Sequence, residues 1–167
     1  DKNVSVIVKD ASGNAMTGVC TVRFIWLKES ATLELGQVLT KADLLLAPEK
    51  DDALIDQAQL DQINGSPAGT YTVTSTSGNK TQTVTVTVQD TTGPVLKLQE
   101  VKRNIGKKAA VEDFVKEATD LSGEVTLTML TEPDFGKAGT QTVQIEAKDI
   151  FGNVTVAETT LFISNDT

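Results

Sequence analysis

Histidine is absent from the 167 residues, while cysteine, tryptophan and tyrosine occur once each. Losing histidine removes the side chain that most often moves protons near neutral pH, and with it the commonest zinc ligand. Most hydrolase mechanisms thereby lose their base, so an enzyme is not expected. Cys20 has no partner for an internal disulfide. Its apolar run, Val19-Cys20-Thr21-Val22, predicts a small buried hydrophobe rather than a nucleophile. Aromatic residues are 4% of the chain, too few for the stacked platforms that carbohydrate binding uses, and Trp26 is expected in the core. No apolar run approaches the roughly 18 to 20 residues that span a bilayer, and no signal-peptide core follows Asp1-Lys2. The expectation is a soluble piece of a longer chain with no membrane insertion. Fifteen basic against 23 acidic residues give a net charge of −8, shared equally between residues 1–90 and 91–167. Such a surface repels phosphate backbones, so nucleic acid is not an expected partner.

What the chain has in quantity is threonine and valine, 24 and 18 residues, a strong β bias. Its length exceeds one β-sandwich of roughly 100 residues and suits two small ones. Self-similarity supports two. At an offset of 70, Leu35-Gly36 meets Ile105-Gly106, and Asp43-Leu44-Leu45 meets Asp113-Phe114-Val115. Ala68-Gly69-Thr70-Tyr71-Thr72-Val73 meets Ala138-Gly139-Thr140-Gln141-Thr142-Val143 at that offset, and no gap intervenes from residue 35 to 73. Past Val73 the copies reach Gly78-Asn79 and Gly152-Asn153, the second four residues later, an even insertion that leaves the core and solvent faces unexchanged.

Val84, Val86 and Val88 alternate with Thr83, Thr85 and Thr87 as a half-buried antiparallel strand does. Val154 and Val156 have one parity and Leu161 and Ile163 the other, which predicts a bulge or kink between them. Thr40-Lys41-Ala42-Asp43 has the shape of a helix cap, and Val111 to Ala118 is the equivalent helical turn. Residues 1–26 hold a hairpin turning at Asp10-Ala11-Ser12-Gly13-Asn14, comparable with Asp149…Gly152-Asn153. It is read either as an extra hairpin of the first module, the favoured assignment, or as the last hairpin of a truncated preceding repeat. Gln89 to Pro94 forms a short stiff boundary, giving modules 1–90 and 91–167 arranged end to end.

Taken in order, Asp90-Thr91-Thr92-Gly93-Pro94, Gly106…Asp113-Phe114-Val115, Asp120-Leu121-Ser122-Gly123, Ala138-Gly139-Thr140 and Asp149…Gly152-Asn153 resemble the bacterial immunoglobulin-like (Big) and hyalin-like repeats of cell-surface proteins. The resemblance covers residues 91–163 and is weaker over 22–88, where Lys50-Asp51-Asp52-Ala53 replaces Asp-Leu-Ser-Gly. It implies an all-β fold of two tandem immunoglobulin-like sandwiches, each with a short helical turn, on the bacterial surface or secreted. It implies a non-enzymatic stalk or spacer whose partners are neighbouring repeats of a monomeric chain. The alternative is an adhesin or carbohydrate-binding module on a secreted enzyme, with host matrix or glycan as partner. Gly69 to Val73 resembles a tyrosine corner built on Tyr71, and Gln141 leaves that bond in question in the second copy.

Asp90, Asp120, Asp149 and Asn153 are the candidate cation ligands, since hard oxygens suit Ca²⁺. The plainer reading is that Asp149 and Asn153 close a turn through their own backbone. Asp51, Asp52, Asp56 and Asp61 lack the alternating pattern of a calcium loop and read as a solvated helix or loop face. Lys9 with Asn79 or Asn14 is the arrangement to test for a Lys–Asn isopeptide bond.

Overall fold

A computed structural model describes residues 2–22, 24–48 and 54–165. Lys50, Asp51, Asp52 and Ala53 fall outside them. The fold is all-β. Strands β1 (Lys2–Lys9) and β2 (Ala15–Val22) form an antiparallel pair. Strands β3 (Ser30–Glu34), β4 (Gly69–Ser77) and β5 (Lys80–Gln89) form a sheet in the order β3-β5-β4. Strand β6 (Val95–Leu98) pairs with β8 (Val115–Thr119). Strands β7 (Val101–Asn104), β9 (Thr126–Met129), β10 (Gly139–Lys148) and β11 (Val154–Ser164) complete a sheet in the order β7-β11-β10-β9. Two short helices, α1 (Lys41–Leu44) and α2 (Gln57–Ile63), and a 3-10 turn (Val111–Phe114) interrupt the strands. The chain divides into two compact units: residues 1–31, 39–64 and 70–87, and residues 32–38, 65–69 and 88–167.

In the second unit, β7 runs parallel to β11 and the other pairings of its sheet are antiparallel. The β6–β8 pair supplies Leu96, Leu98 and Val115 against the core of Val101, Phe114, Val143, Ile145, Leu161 and Ile163. Strand β11 pairs with β10 in unbroken register from Val154 to Ile163, so the expected bulge between Val156 and Leu161 is absent. The inward residues of β11 are Thr155, Ala157, Thr159, Leu161 and Ile163, while Val154 and Val156 face solvent. Small inward side chains on β11 meet Val143, Ile145 and Ala147 across the pair, which lets bulky and small residues share the layer. The second helical turn is also shorter than expected, because Val115 to Thr119 is a strand.

In the first unit, Leu39, Leu44, Leu45, Ile55, Leu60, Val73, Val84 and Val86 are buried, while Thr83 and Thr85 of β5 are exposed. Trp26 is 8% exposed, and its indole donates to Ser75 Oγ at 2.8 Å; that hydroxyl in turn donates to the Leu54 carbonyl. Helix α2 starts at Asp56, whose carboxylate accepts from the Ala58 amide, and turns Leu60 and Ile63 inward while Asp61 is exposed. The Asn64 amide then bonds both backbone groups of Leu39.

The offset of 70 is a repetition of bonds as well as residues. Asp43 accepts from the Thr40 amide at 2.7 Å, and Asp113 from the Ala110 amide at 2.9 Å. The Leu44 and Phe114 carbonyls, 70 positions apart, accept from the Lys28 and Gln99 amides, each at 2.8 Å, the donors being one position further apart where β6 carries a register shift. Gly36 and Gly106 follow their strands at φ of 86° and 79°, where a β-carbon is disfavoured. At the second corner Gln141 replaces the tyrosine. Its amide accepts from Asp134 N at 2.8 Å and donates to Asp134 O at 2.7 Å, tying the strand back to the preceding bend.

The N-terminal hairpin departs from expectation, since every residue of β1 and β2 is exposed, Cys20 included. An apolar run predicts burial only where another layer covers it. Lys9 is exposed in the same hairpin, and the Asn14 amide is taken by Asp10, so neither has the buried setting an isopeptide bond uses.

Phe114→Ala removes a fully buried ring from the second core. It is expected to cost about 3–5 kcal/mol in denaturant unfolding, and a loss below about 1 kcal/mol would contradict the packing described.

Candidate cation site beside the Asp149 turn

The turn between β10 and β11 is closed by one side chain. Asp149 Oδ1 accepts from the amides of Phe151 and Asn153 at 2.8 and 2.9 Å, and Oδ2 accepts from Asn153 Nδ2 at 2.7 Å. Asp149 N donates to Asn153 O, and Gly152, at φ 93°, donates its amide to Asp149 O. Burial pushes the Asp149 carboxyl up, but the hydrogen bonds from Asn153, Phe151 and Gly152 outweigh it and hold the pKa below its ordinary value.

The second amide hydrogen of Asn153 reaches the Asp90 carbonyl at 3.1 Å. This draws the 90–93 segment to the turn. There Asp90 Oδ1 accepts from Thr92 N, and Asp120 Oδ1 accepts from the amide and hydroxyl of Ser122. One carboxylate oxygen each from Asp90, Asp120 and Asp149 lie within 4.8 Å of one another. The structure thus brings all four predicted residues together: three as acids, and Asn153 as a donor rather than an oxygen ligand. Asp90 Oδ2 is buried without a hydrogen-bond partner among the described residues. An open cavity of about 320 Å³ borders Asp90 and Asp120, walled by Leu35, Thr92, Val95 and Leu121.

Two contacts that sequence reasoning missed hold the 91–93 segment. Glu34 accepts from Thr91 N at 2.6 Å and from both the Thr91 and Thr92 hydroxyls. The Thr91 amide is the main cause of the lowered Glu34 pKa. A β-carbon on Gly93 would stand 2.8 Å from the Val154 carbonyl, so only glycine lets the segment lie against β11. No sequence signal marks Glu34, because its partners lie 57 and 58 positions away.

Asp10 and Asn14 provide an internal control on the turn. Asp10 Oδ1 accepts from Ser12 N and Asn14 N, each at 2.9 Å, and Asn14 Nδ2 donates to Oδ2 at 2.8 Å. Its pKa is lowered, first by the Asn14 side chain and then by the Asn14 backbone. The same closure therefore forms in an exposed hairpin with no acidic cluster, so turn closure by itself requires no cation. What sets the Asp149 site apart is Asp120 and the unpartnered oxygen of Asp90.

No family model matches the chain, and no curated protein matches its sequence. Solved structures give distant likenesses. The protocadherin fragment PcdhgB3 EC1-4 is 14% identical over 97% of this chain, with a TM-score of 0.32. The mouse clustered protocadherin PcdhgC3 EC1-3 is 13% identical over 98% of this chain and 76% of its own, with a TM-score of 0.34. The endo-fucoidan hydrolase MfFcnA4 of glycoside hydrolase family 107 is 15% identical over 98% of this chain and 34% of its own, with a TM-score of 0.30. The chain spans 39% and 40% of the first two structures found. Scores this low carry no functional argument. No described helix is long and apolar enough to cross a membrane.

The lowered pKa fixes the sign of an acid effect. A carboxyl depressed in the folded state contributes stability above its unfolded pKa of about 3.9 and loses it as pH falls through the folded value. Asp149→Ala is expected to lower the Tm at neutral pH, with the gap to the parent chain narrowing below about pH 4. Asp10→Ala, in the exposed hairpin, is expected to leave the Tm unchanged. Calorimetry from pH 7 to about pH 2.5 checks both; a gap that widens in acid would refute the assignment.

Proposed function

We propose that the chain is a run of immunoglobulin-like modules, 1–90 and 91–167, acting as a non-enzymatic spacer of an extracellular protein of the bacterial surface or secreted kind. The observation that carries this reading is the recurrence of bonds along the chain. The Thr40–Asp43 closure returns at Ala110–Asp113, and the Asp10–Asn14 turn returns at Asp149–Asn153. What recurs is scaffold closure, which a spacer needs in every copy and a catalyst needs once.

The carboxyl groups support the same reading. A general acid or base working near neutral pH needs a pKa raised toward 7. Those of Asp10, Glu34, Asp113 and Asp149 all move down, because backbone amides and neighbouring side chains bind the ionised form. They are acceptors that hold the backbone in place. Glycan and host-matrix arrays probed with the whole chain are expected to show no saturable binding. A specific, saturable signal would favour the adhesin or carbohydrate-binding alternative.

A second reading concerns Ca²⁺, and the buried Asp90 Oδ2 favours it. The three acids supply hard oxygens, and water would complete the six to eight that Ca²⁺ takes. Millimolar Ca²⁺ is expected to raise the Tm of the parent chain and not that of Asp90→Asn. Melting curves identical in Ca²⁺ and EDTA would dispose of the reading.

A further inference from the structure

Strands β1 and β2 make a hairpin with no third strand beside it among the described residues. Alternation sorts its side chains. Val4, Val6, Val8, Met16, Gly18, Cys20 and Val22 fall on one face with Lys2 at its end, while Asn3, Ser5, Thr17 and Thr21 share the other face with Ile7, Lys9, Ala15 and Val19. A two-stranded hairpin is marginal in water, so an apolar face of this size is built to be covered.

The chain contains the same hairpin a second time, with its cover in place. A shift of 139 residues carries the eight pairs from Lys2↔Val22 to Lys9↔Ala15 onto Gln141↔Leu161 to Lys148↔Val154 without a slip. Under it Val4, Val6, Val8 and Val22 take the places of Val143, Ile145, Ala147 and Leu161, all fully buried. Gly18 takes the place of Ala157, and the turn repeats its bonds. The equivalence runs past the strand: Phe24, 56% exposed, stands where Ile163 is 1% exposed.

In the second unit the cover includes Phe114, Leu96, Leu98 and Val115. We infer that residues 2–25 are the closing hairpin of a further module of the same repeat. Its Val4–Val6–Val8 face is covered by that module's opposing sheet, contributed by polypeptide N-terminal to Lys2. The inference rests on the tandem-module reading above. It reverses the assignment of this hairpin to the first module. An upstream copy of the repeat supplies the cover already seen on β10–β11.

The test compares the 167-residue chain with the polypeptide extended upstream in its own reading frame by about one repeat, roughly 70 residues. Amide exchange and alkylation of Cys20 are read in both. In the 167-residue chain, monomeric by light scattering, amides 2–22 are expected to exchange about 100-fold faster than those of β10–β11, and Val6→Asp should leave the Tm unchanged. In the extended polypeptide, those amides and the Cys20 thiol are expected to slow by about 100-fold. Val6→Asp should abolish that protection without affecting β10–β11. Protection of the hairpin in the monomeric 167-residue chain would overturn the inference. So would protection that appears only with dimerisation, exchange unchanged by the extension, or a reading frame with no β-rich segment upstream. Specific glycan binding would sink the spacer reading and leave these outcomes unaffected.

Discussion

Side-chain alternation in a fixed register is the constraint on which the second unit depends, and the Asp149 carboxylate sets it. A slip of one residue between β10 and β11 would turn Val143, Ile145 and Ala147 outward and bring Gln144 and Glu146 into the core. The turn prevents this locally. Its backbone and side-chain bonds to Asn153 and Phe151 admit one loop length, and that loop length admits one pairing. The same closure at Asp10 shows that register is decided without help from the core. Phe114 and the β6–β8 pair pack against the apolar face that this register presents.

The two copies solve the same problem with different chemistry where they diverge. The inward slot of Ile145 is occupied at the offset of 70 by Ser75, buried at 2% exposure. A hydroxyl there is tolerable because it accepts from Trp26 and donates to Leu54, so no buried polar atom is left unpaired. An indole and a serine thus replace an aliphatic contact. Among the described residues, the β6–β8 pairing is matched in the first copy by the isolated bridge Leu27↔Leu45. Helix α2, carrying Leu60 and Ile63, occupies the sequence position of β9.

The all-β class, the valine face of β5 and the first helical turn were legible because each is written in local spacing, and the offset of 70 because it is written in repetition. The two parities of β11 need no bulge, because Val154 and Val156 stay on the solvent face while the partner strand carries the bulk inside. Cys20 was misread because a strand pattern reports which face is apolar and not whether a second layer covers it. Helix α2 fits the reading of Asp56 and Asp61 as a solvated helix or loop face, whereas its buried side, Leu60 and Ile63, was not singled out. The Glu34 clasp on Thr91 and Thr92 was out of reach, since nothing local announces a contact so distant in sequence.

Acidity in this chain is largely a means of holding backbone. Asp43, Asp113, Asp10, Asp149 and Glu34 each place a carboxylate on an amide where the chain changes direction. An ionised acceptor makes a stronger bond there than a neutral one. At the junction of Asp90, Asp120 and Asp149, one carboxylate oxygen of each lies within 4.8 Å of the other two. Asn153 donates to Asp149 and Ser122 to Asp120, leaving Asp90 Oδ2 as the acceptor the scaffold does not use. Scaffold demands account for every other oxygen bond described at this junction. Asp90 is therefore the residue at which a ligand of this unit would be felt first.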